Sequence, residues 1–335
     1  MKKYRQEPPF RKRIRDIQKK TLQIKDIPIK KTRNINGYLH YFADWLANWH
    51  ITKILQAMGS LALLVTLYGF YADLKDKKQS RVVNSWQLVT TKASGNSGKI
   101  DALEHLNNQN IPLVGIDLSS PDKTRQDGTY LKGINLAGAD LKFAKFSGAN
   151  LSSANLANTK LWTASLDSVD LINSNLQGAE LINADLKYSN LQNAHFEKAK
   201  LDLAQFQHAL ADDSYFSGAS LQYAILNDVF LERVDFQGAD LFRAEINNST
   251  LLRANLSDVN LEKANLIGSD LRLVNFKDAN LLNTVIGGAD ISQAINLTCA
   301  QLKKATNWKA AYRDQKLACG ESIPSKPWLQ EDENL

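Results

Sequence analysis

Large apolar residues recur at every fifth position between Leu131 and Ile291. Of the 33 positions in this series, 32 carry Leu, Ile or Phe, and Ala211 is the exception. A second series, from 134 to 294, holds small or β-branched residues, 20 of them Ala. Each step of five rotates by about 140° on an α-helix and changes side on a continuous strand, so neither element keeps one apolar face. The pattern therefore predicts a chain that changes direction once per repeat.

Each repeat is predicted to contain three extended residues followed by a two-residue corner. In the unit 139–141 we expect the Ala and Leu to point inward and the Asp between them to point outward. Of the 32 intervening positions from 135 to 290, 17 are Asp or Asn, whose side chains bond to nearby backbone at turns. A larger residue at Ala139 or Ala149 is expected to overpack the interior, at about 1–3 kcal/mol. Unusual backbone angles are expected where Gly takes the second corner position: Gly133, Gly138, Gly148, Gly178, Gly218, Gly238, Gly268 and Gly288.

The string of A(D/N)LxX units closely resembles the pentapeptide-repeat family over about half of the chain. The resemblance implies an all-β repeat fold, a right-handed quadrilateral parallel β-helix with four repeats in each 20-residue coil. About eight coils at about 4.8 Å would then form a rod on the order of 40 Å long. The family's right-handedness agrees with the usual hand of parallel connections. We expect residues 131–295 to form this β-helix, with helical caps at both ends.

Residues 1–35 are predicted to form a basic, flexible tail. The first 33 residues contain 13 Lys and Arg but only Glu7, Asp16 and Asp26 as acids. Attraction to anionic lipid headgroups is one interpretation, and a topology signal without a binding role is the other. Nucleic-acid binding is disfavoured because few aromatic residues lie among these charges.

Residues 36–73 are predicted to form an interfacial helix followed by a transmembrane helix. The 19 residues Ile54–Ala72 carry no charge and would span roughly 28 Å as a helix. A buried helix of a soluble protein is the alternative, because the span contains several polar residues. Upstream, aromatic residues recur at the helical spacing of an amphipathic stretch: Tyr38, Phe42, Trp45 and Trp49. We therefore expect a single-pass membrane protein that contacts the lipid bilayer through residues 38–72.

The side of the membrane that holds the rod is left open by the charges. The chain through Lys53 contains 14 Lys and Arg, which favours a cytoplasmic N-terminus. Close to the span, four basic residues on its C-terminal side (Lys75, Lys77, Lys78 and Arg81) outnumber Arg33 and Lys53. Because local charges usually dominate, our expectation leans slightly towards a cytoplasmic rod.

Residues 74–130 are predicted to be a linker and N-terminal cap. A helix is expected in the segment SRVVNSWQLVTT, packing Val82, Trp86 and Val89, and another over Lys99–Leu106. The repeat pattern begins at Ile116–Leu118 and is interrupted by residues 121–129. Both ends of a coil stack need caps, because open strand edges leave backbone groups unpaired.

Residues 296–335 are predicted to be a C-terminal cap and tail. A helical face is expected from the spacing of Leu302, Ala305, Trp308 and Tyr312. The cap also contains Cys299 and Cys319. We expect these to be free thiols, with a disulfide as the alternative if the rod lies outside the cytoplasm.

No catalytic constellation is found in the sequence. The five His residues are dispersed without metal-ligand spacing, and the motif GNSGK lacks the spacing of a phosphate-binding loop. Asp212 and Asp213, beside Ala211, are expected to form a solvated corner and not a cation site. We therefore expect a protein that is not an enzyme and takes no cofactor, metal or small-molecule substrate.

Sorting the outward residues by a period of 20 separates an apolar side from a polar one. Seven of the eight coils place an apolar side chain on the side of Leu141, and the eighth carries Glu262 and Lys263. The predicted interaction stripe is Phe143, Trp162, Ile182, Leu203, Tyr223, Phe242 and Leu282. A second apolar patch is predicted at Leu210 and Phe230, where Asp or Asn is usual. Such surfaces mark contact sites, although docking of residues 80–130 or of the C-terminal tail would cover the stripe equally well.

The expected function is that of a membrane-tethered, non-enzymatic scaffold whose rod contacts a protein partner or a second copy. The family resemblance implies one alternative, a rod that mimics duplex DNA and binds a type II topoisomerase. Residues 131–295 carry 13 Lys and Arg against 19 Asp and Glu, a net charge of −6. This acid is unevenly spread, and a bilayer anchor restricts access to the chromosome, so we favour the scaffold and regard nucleic acid as an unlikely partner.

Overall fold

The computed structural model describes residues 35–48, 50–91, 98–119 and 129–325. The predicted basic tail up to residue 34, Trp49, most of the interruption at 121–129 and the last ten residues lie outside these ranges. The chain divides into two compact units, Met1–Lys75 and Asp76–Leu335.

The first unit contains α1 (Ile35–Asn48) and the beginning of α2 (His50–Thr90). The aromatic side chains of Tyr38, Phe42 and Trp45 in α1 are exposed. By length and composition α2 is able to cross a bilayer, since the most apolar 18 residues within Gln56–Thr90 have a mean hydropathy of 1.4 and none of them is buried in the structure. The helix predicted in the segment SRVVNSWQLVTT is present as the C-terminal part of α2, which continues unbroken to Thr90. Val89 is buried in the core, and Val82 and Trp86 pack against it, as expected.

In the second unit, the N-terminal cap is built from the end of α2 and from α3 (Lys99–Asn108). Three residues of α3, Ala102, Leu103 and Leu106, are buried in the core. The side chains of α3 also form hydrogen bonds with backbone groups at the open edge of the first complete coil. Glu104 Oε1 accepts a hydrogen bond from the backbone N–H of Asn135 at 2.8 Å, and Asn107 Nδ2 donates to a carbonyl of that coil at 3.1 Å. The polar side chains of α3 thus replace strand partners that this coil lacks.

The repeat region forms a parallel β-helix of four-repeat coils. Each repeat contributes a single bridging residue, and from Tyr130 to Ile295 every bridge joins residue i to residue i + 20, as in Asn135 with Asn155. An offset of 20 means that four repeats complete one coil, which confirms the predicted four sides. The segment 113–118 adds a partial coil below, with Asp117 paired to Lys145.

Side chains fill the inside of the coils. The repeat leucines and the small residues two positions before them are buried, and Ala211 is buried as well. Near Ala211 the filling is aromatic: the Phe216 ring stacks between Phe196 and Phe236, with centroids 4.7 and 5.0 Å away. The interior is therefore a packed core, as interiors of this kind must be to avoid cavity costs.

The corners are tight turns with a left-handed second residue. In a typical corner, the N–H of Ala144 donates to the carbonyl of Leu141 at 3.1 Å, and Phe143 between them has φ of 60°. This is the geometry of a type II turn, which requires positive φ at its third residue. All 33 second corner positions from 133 to 293 have positive φ. The expectation for the glycine positions is confirmed, and it extends to the 25 corners without glycine.

The C-terminal cap differs from its prediction. Its α-helix, α4, covers only Cys299–Leu302, and Trp308–Ala310 and Gln315–Leu317 are short 3₁₀ turns. Between them the chain continues the β-helix, since Thr306 pairs with Val285 and Tyr312 pairs with Asp290. The single helical face predicted from Leu302 to Tyr312 is therefore wrong, although Leu302, Ala305 and Trp308 are buried against the core.

A disulfide bond joins Cys299 and Cys319, whose Cα atoms lie 5.5 Å apart. The expectation of free thiols is wrong. The loop that follows the last coil returns to its own starting point, and this brings together two residues that are 20 positions apart in the sequence. The bond thus closes the segment that pairs with the final coil.

Candidate interaction surface

The seven residues of the predicted stripe lie along one edge of the β-helix, at the corners that follow Leu141 and every twentieth residue to Leu281. We call this edge, formed by the residue pairs 142–143 to 282–283, the aromatic corner. Parallel pairing of Asp140, Lys160 and Glu180 stacks the pairs in successive coils. Phe143 is 56% exposed and Trp162 40%. Leu203, Tyr223 and Leu282 are exposed as well, whereas Ile182 and Phe242 are half-buried.

Aromatic rings and cations contact each other along the aromatic corner. The Tyr223 and Phe242 rings meet edge to face, with centroids 5.7 Å apart. The Arg243 guanidinium lies 5.7 and 5.4 Å from these two ring centroids, and Lys263 Nζ lies 5.2 Å from that of Phe242. Such contacts hold the rings in place and leave cations beside the apolar surface.

At the other end of the aromatic corner, Trp162 is held by two neighbours. Its Nε1 donates to Glu180 Oε2 at 2.8 Å, and Lys142 Nζ lies 5.2 Å from its ring centroid. Glu180 also accepts from Lys200 Nζ at 2.9 Å. The hydrogen bond from Lys200 lowers the pKa of Glu180 most, with a smaller contribution from the Trp162 hydrogen bond. The indole orientation is therefore set by a carboxylate that stays ionised near neutral pH.

The side of Leu156 and Leu176 has a polar surface, as the sorting by 20 residues indicates. Asn155 Nδ2 donates to Asn135 Oδ1 at 3.0 Å, and Asn175 Nδ2 donates to Asn155 Oδ1 at 3.4 Å. Asn155 is thus a donor to the coil below and an acceptor from the coil above. A side chain satisfied in this way offers little to a partner, which contrasts with the aromatic corner.

The second predicted patch, Leu210 and Phe230, lies in adjacent coils that pair directly with each other. Their side chains are 39% and 51% exposed. Tyr188 and His208, at the preceding corner, stack with ring centroids 5.1 Å apart. Sequence reasoning missed this addition to the patch, and it missed a similar stack of His195 on Tyr215 at 4.7 Å. Their spacing of 20 residues was the signal that would have found both.

At the corner beside Ala211, an ion pair joins two neighbouring coils. Arg233 Nε and Nη2 donate to the two carboxylate oxygens of Asp213 at 2.6 and 2.7 Å. This hydrogen-bonded pairing lowers the pKa of Asp213 and raises that of Arg233. Asp212 accepts from the backbone N–H of Glu232 at 2.8 Å. The two carboxylates are therefore engaged by the next coil and do not converge on a common point.

Among the described residues, no three His, Cys, Asp or Glu side chains are grouped as a metal site. The polar side chains described above project outward from a filled core and pair with polar groups of neighbouring coils. An arrangement of this kind is suited to contact along a surface.

Comparison with known proteins gives matches throughout the repeat region. The family model described as pentapeptide repeats matches in 8 copies, with residues 127–162, 164–202, 199–238, 214–253 and 254–293. No match was found among curated proteins.

Solved structures of pentapeptide-repeat proteins are also similar to this chain. HetL from the cyanobacterium Nostoc, described as involved in the regulation of heterocyst differentiation, is 26% identical over 68% of this chain and 99% of its own, with a TM-score of 0.33. QnrB1, a plasmid-mediated fluoroquinolone resistance protein, is 16% identical over 67% of this chain and 97% of its own, with a TM-score of 0.27. The coil geometry and the eight matching copies together place this chain in the pentapeptide-repeat family.

Proposed function

We propose that the chain is a membrane-tethered, non-enzymatic scaffold that presents its β-helix for protein contact. The observation that carries the proposal is the aromatic corner, a line of seven apolar side chains, five of them exposed, on a rod whose interior is filled. Exposed apolar residues aligned over many coils are unusual on a monomeric surface and mark contact sites. A filled interior leaves the outer surface as the place where the protein acts.

Tethering is supported by α2 and by the residues around it. The uncharged stretch Ile54–Ala72 lies within α2, and its side chains from Gln56 onwards are almost all exposed. The exposed aromatic residues of α1 match the amphipathic helices that lie in the headgroup region. In a bilayer, both surfaces would be covered by lipid.

The disulfide supports placing the β-helix on the oxidising side of the membrane. Disulfides form and persist in oxidising compartments and are rare in the cytosol. The 14 Lys and Arg through Lys53 then remain in the cytoplasm, in agreement with the positive-inside rule. This placement differs from the slight cytoplasmic lean, which rested on the four basic residues that follow the span.

The proposal of protein contact is tested by charging the aromatic corner. Trp162→Glu combined with Phe242→Glu should abolish capture of the binding partner by the tagged full-length chain, because each carboxylate would be desolvated on binding. The matched control is Asn158→Glu with Gln177→Glu on the polar side, which should leave capture intact. Both variants should keep the circular-dichroism signal and melting temperature. Unchanged capture by the Trp162/Phe242 variant would refute the proposal.

The proposed sidedness is tested by thiol labelling of the full-length chain in intact cells. Cys299 and Cys319 should become reactive to a maleimide–polyethylene glycol only after reduction, and a protease added outside the cells should digest the β-helix. A chain labelled without reduction and protected from the protease would place the rod in the cytoplasm.

The alternative, a mimic of duplex DNA, derives its support from the net charge of −6 over residues 131–295. Several of these acids are paired with cations of the same or a neighbouring coil, as Glu180 is with Lys200 and Asp270 with Arg272. Pairing weakens the negative field that such mimicry requires. The two functions are separated by measuring whether the chain protects or inhibits gyrase, with and without the Trp162/Phe242 substitutions. Clear activity on gyrase would favour the DNA mimic over the scaffold.

A further inference from the structure

Most residue pairs of the aromatic corner combine one large apolar residue with one polar or charged residue. In seven of eight coils one residue of the pair is large and apolar and the other is polar or charged. The apolar residue is the first of the pair at Trp162 and the second at Leu203, so it changes position along the rod. The remaining coil has Glu262 followed by Lys263, which form an ion pair at 2.9 Å.

A two-fold axis parallel to the rod converts this pattern into a continuous contact. Rotation by 180° exchanges the two flanks of a corner, so the first residue of each pair faces the second residue of the same pair in another copy. Trp162 would face Thr163 of the second copy, and Leu203 would face Asp202 of the second copy. In seven of the eight coils each flank then receives one large apolar side chain, from one copy or the other, without two large residues in the same place.

The charged coil determines which arrangement of two copies is possible. With the rods parallel and in register, Glu262 of each copy faces Lys263 of the other, which forms two ion pairs. An antiparallel overlap of more than three coils would instead place this pair against an apolar coil, where its charges would be desolvated without partners. Phe242 would face Arg243 of the second copy, repeating across the axis the cation–π contact that exists within the chain at 5.4 Å.

We propose that a second copy of this chain occupies the aromatic corner, parallel and in register about a two-fold axis along the rod. The inference rests on the proposed function, because tethering in one membrane brings two copies together. A contact along one corner of eight coils is about 40 Å long and narrow, so it buries less than the roughly 800 Å² per partner of a standard interface. Confinement to a membrane raises the effective concentration and makes such a contact sufficient.

Charge reversal tests the proposed register. Glu262→Lys or Lys263→Glu alone should weaken self-association of the full-length chain roughly three- to tenfold, because each sets like charges across the axis. The double swap Glu262→Lys with Lys263→Glu should restore it. Association is measured by energy transfer between labelled chains in lipid vesicles. A double swap no better than the single reversals would overturn the inference.

Cross-linking gives an independent test. Two differently tagged full-length chains, one with Glu262→Cys and one with Lys263→Cys, should form a mixed disulfide in membranes. The control pair, with Arg253→Cys on both chains, is on the diagonally opposite corner and should not cross-link. Absence of the mixed disulfide, or equal cross-linking of the control, would overturn the second-copy inference. The scaffold proposal is tested separately. If the Trp162/Phe242 variant failed to capture a different protein partner, the scaffold proposal would stand even though the second-copy inference had failed.

Discussion

At the residue scale, the one gap in the leucine series has a volume explanation. Ala211 shares its coil with Phe206 and Phe216, whose rings meet edge to face at 6.1 Å, and all three residues are buried. Two large aromatic side chains on opposite walls occupy the space that a leucine at 211 would fill. The coil therefore keeps the native packing density with an alanine where the repeat pattern favours leucine.

Restoring the repeat pattern at Ala211 should therefore destabilise the protein. Ala211→Leu adds three carbon atoms to a filled coil and should cost about 1–3 kcal/mol in the free energy of unfolding. Adding Phe216→Leu should recover part of this loss, because it frees volume in the same coil. Urea denaturation of the single and double variants measures the coupling. A stabilising Ala211→Leu would show that the coil has unused space.

At the corners, the cost of an unfavourable backbone conformation is offset by hydrogen bonds. Leu203 and Leu273 adopt positive φ, which costs a residue with a Cβ about 1 kcal/mol or more. The backbone hydrogen bonds to the next coil and across the turn outweigh this cost. The repeat therefore tolerates residues with a Cβ at positive φ, and glycine occupies only eight of the 33 corners.

At the scale of elements, the C-terminal cap depends on one buried cation. Arg313 is 4% exposed and donates hydrogen bonds to the carbonyls of Leu317, Lys309 and Ala311 at 2.8–3.0 Å. Its guanidinium also lies 5.1 Å from the Trp308 ring centroid, and burial lowers its pKa. One side chain therefore satisfies the carbonyls of a segment that has few regular backbone partners of its own.

Removal of this cation should open the cap. Arg313→Ala leaves several buried carbonyls without donors and should destabilise the cap by about 2–4 kcal/mol. Amide hydrogen exchange should accelerate at Thr306 and Tyr312, which pair with the last coil. The control is Arg272→Ala, which removes an exposed ion pair with Asp270. This substitution should change stability by less than about 1 kcal/mol. Equal effects of the two substitutions would contradict the assigned role.

At the scale of the whole molecule, alignment of the aromatic corner depends on the 20-residue coil. Every repeat has the same inward pattern, so the core does not distinguish one side from another. The side on which an outward residue lies is decided by its position modulo 20. A surface stripe can therefore be displaced without disturbing the core beneath it.

Two deletions distinguish the contribution of the core from that of the stripe. Removing residues 221–240 deletes one coil and keeps the remaining stripe aligned, so partner contact should survive. Removing residues 221–230 deletes half a coil and moves the C-terminal part of the stripe to the opposite corner, so contact should be lost. Both deletions preserve the five-residue pattern and should fold, with a small loss of stability for the missing repeats. Circular dichroism and capture assays on both chains test this; equal capture would contradict it.

The sequence by itself determined the coil, because a strict period of five with small and large apolar residues has few ways to bury both. It also determined the stripe, whose members differ from their repeat neighbours and recur at the coil length. The tertiary structure alone decided the C-terminal cap, where the pairing of Thr306 and Tyr312 to the last coil overrides a local helical spacing. It likewise decided the state of Cys299 and Cys319, because only the return of the chain after one turn brings two distant thiols within bonding distance.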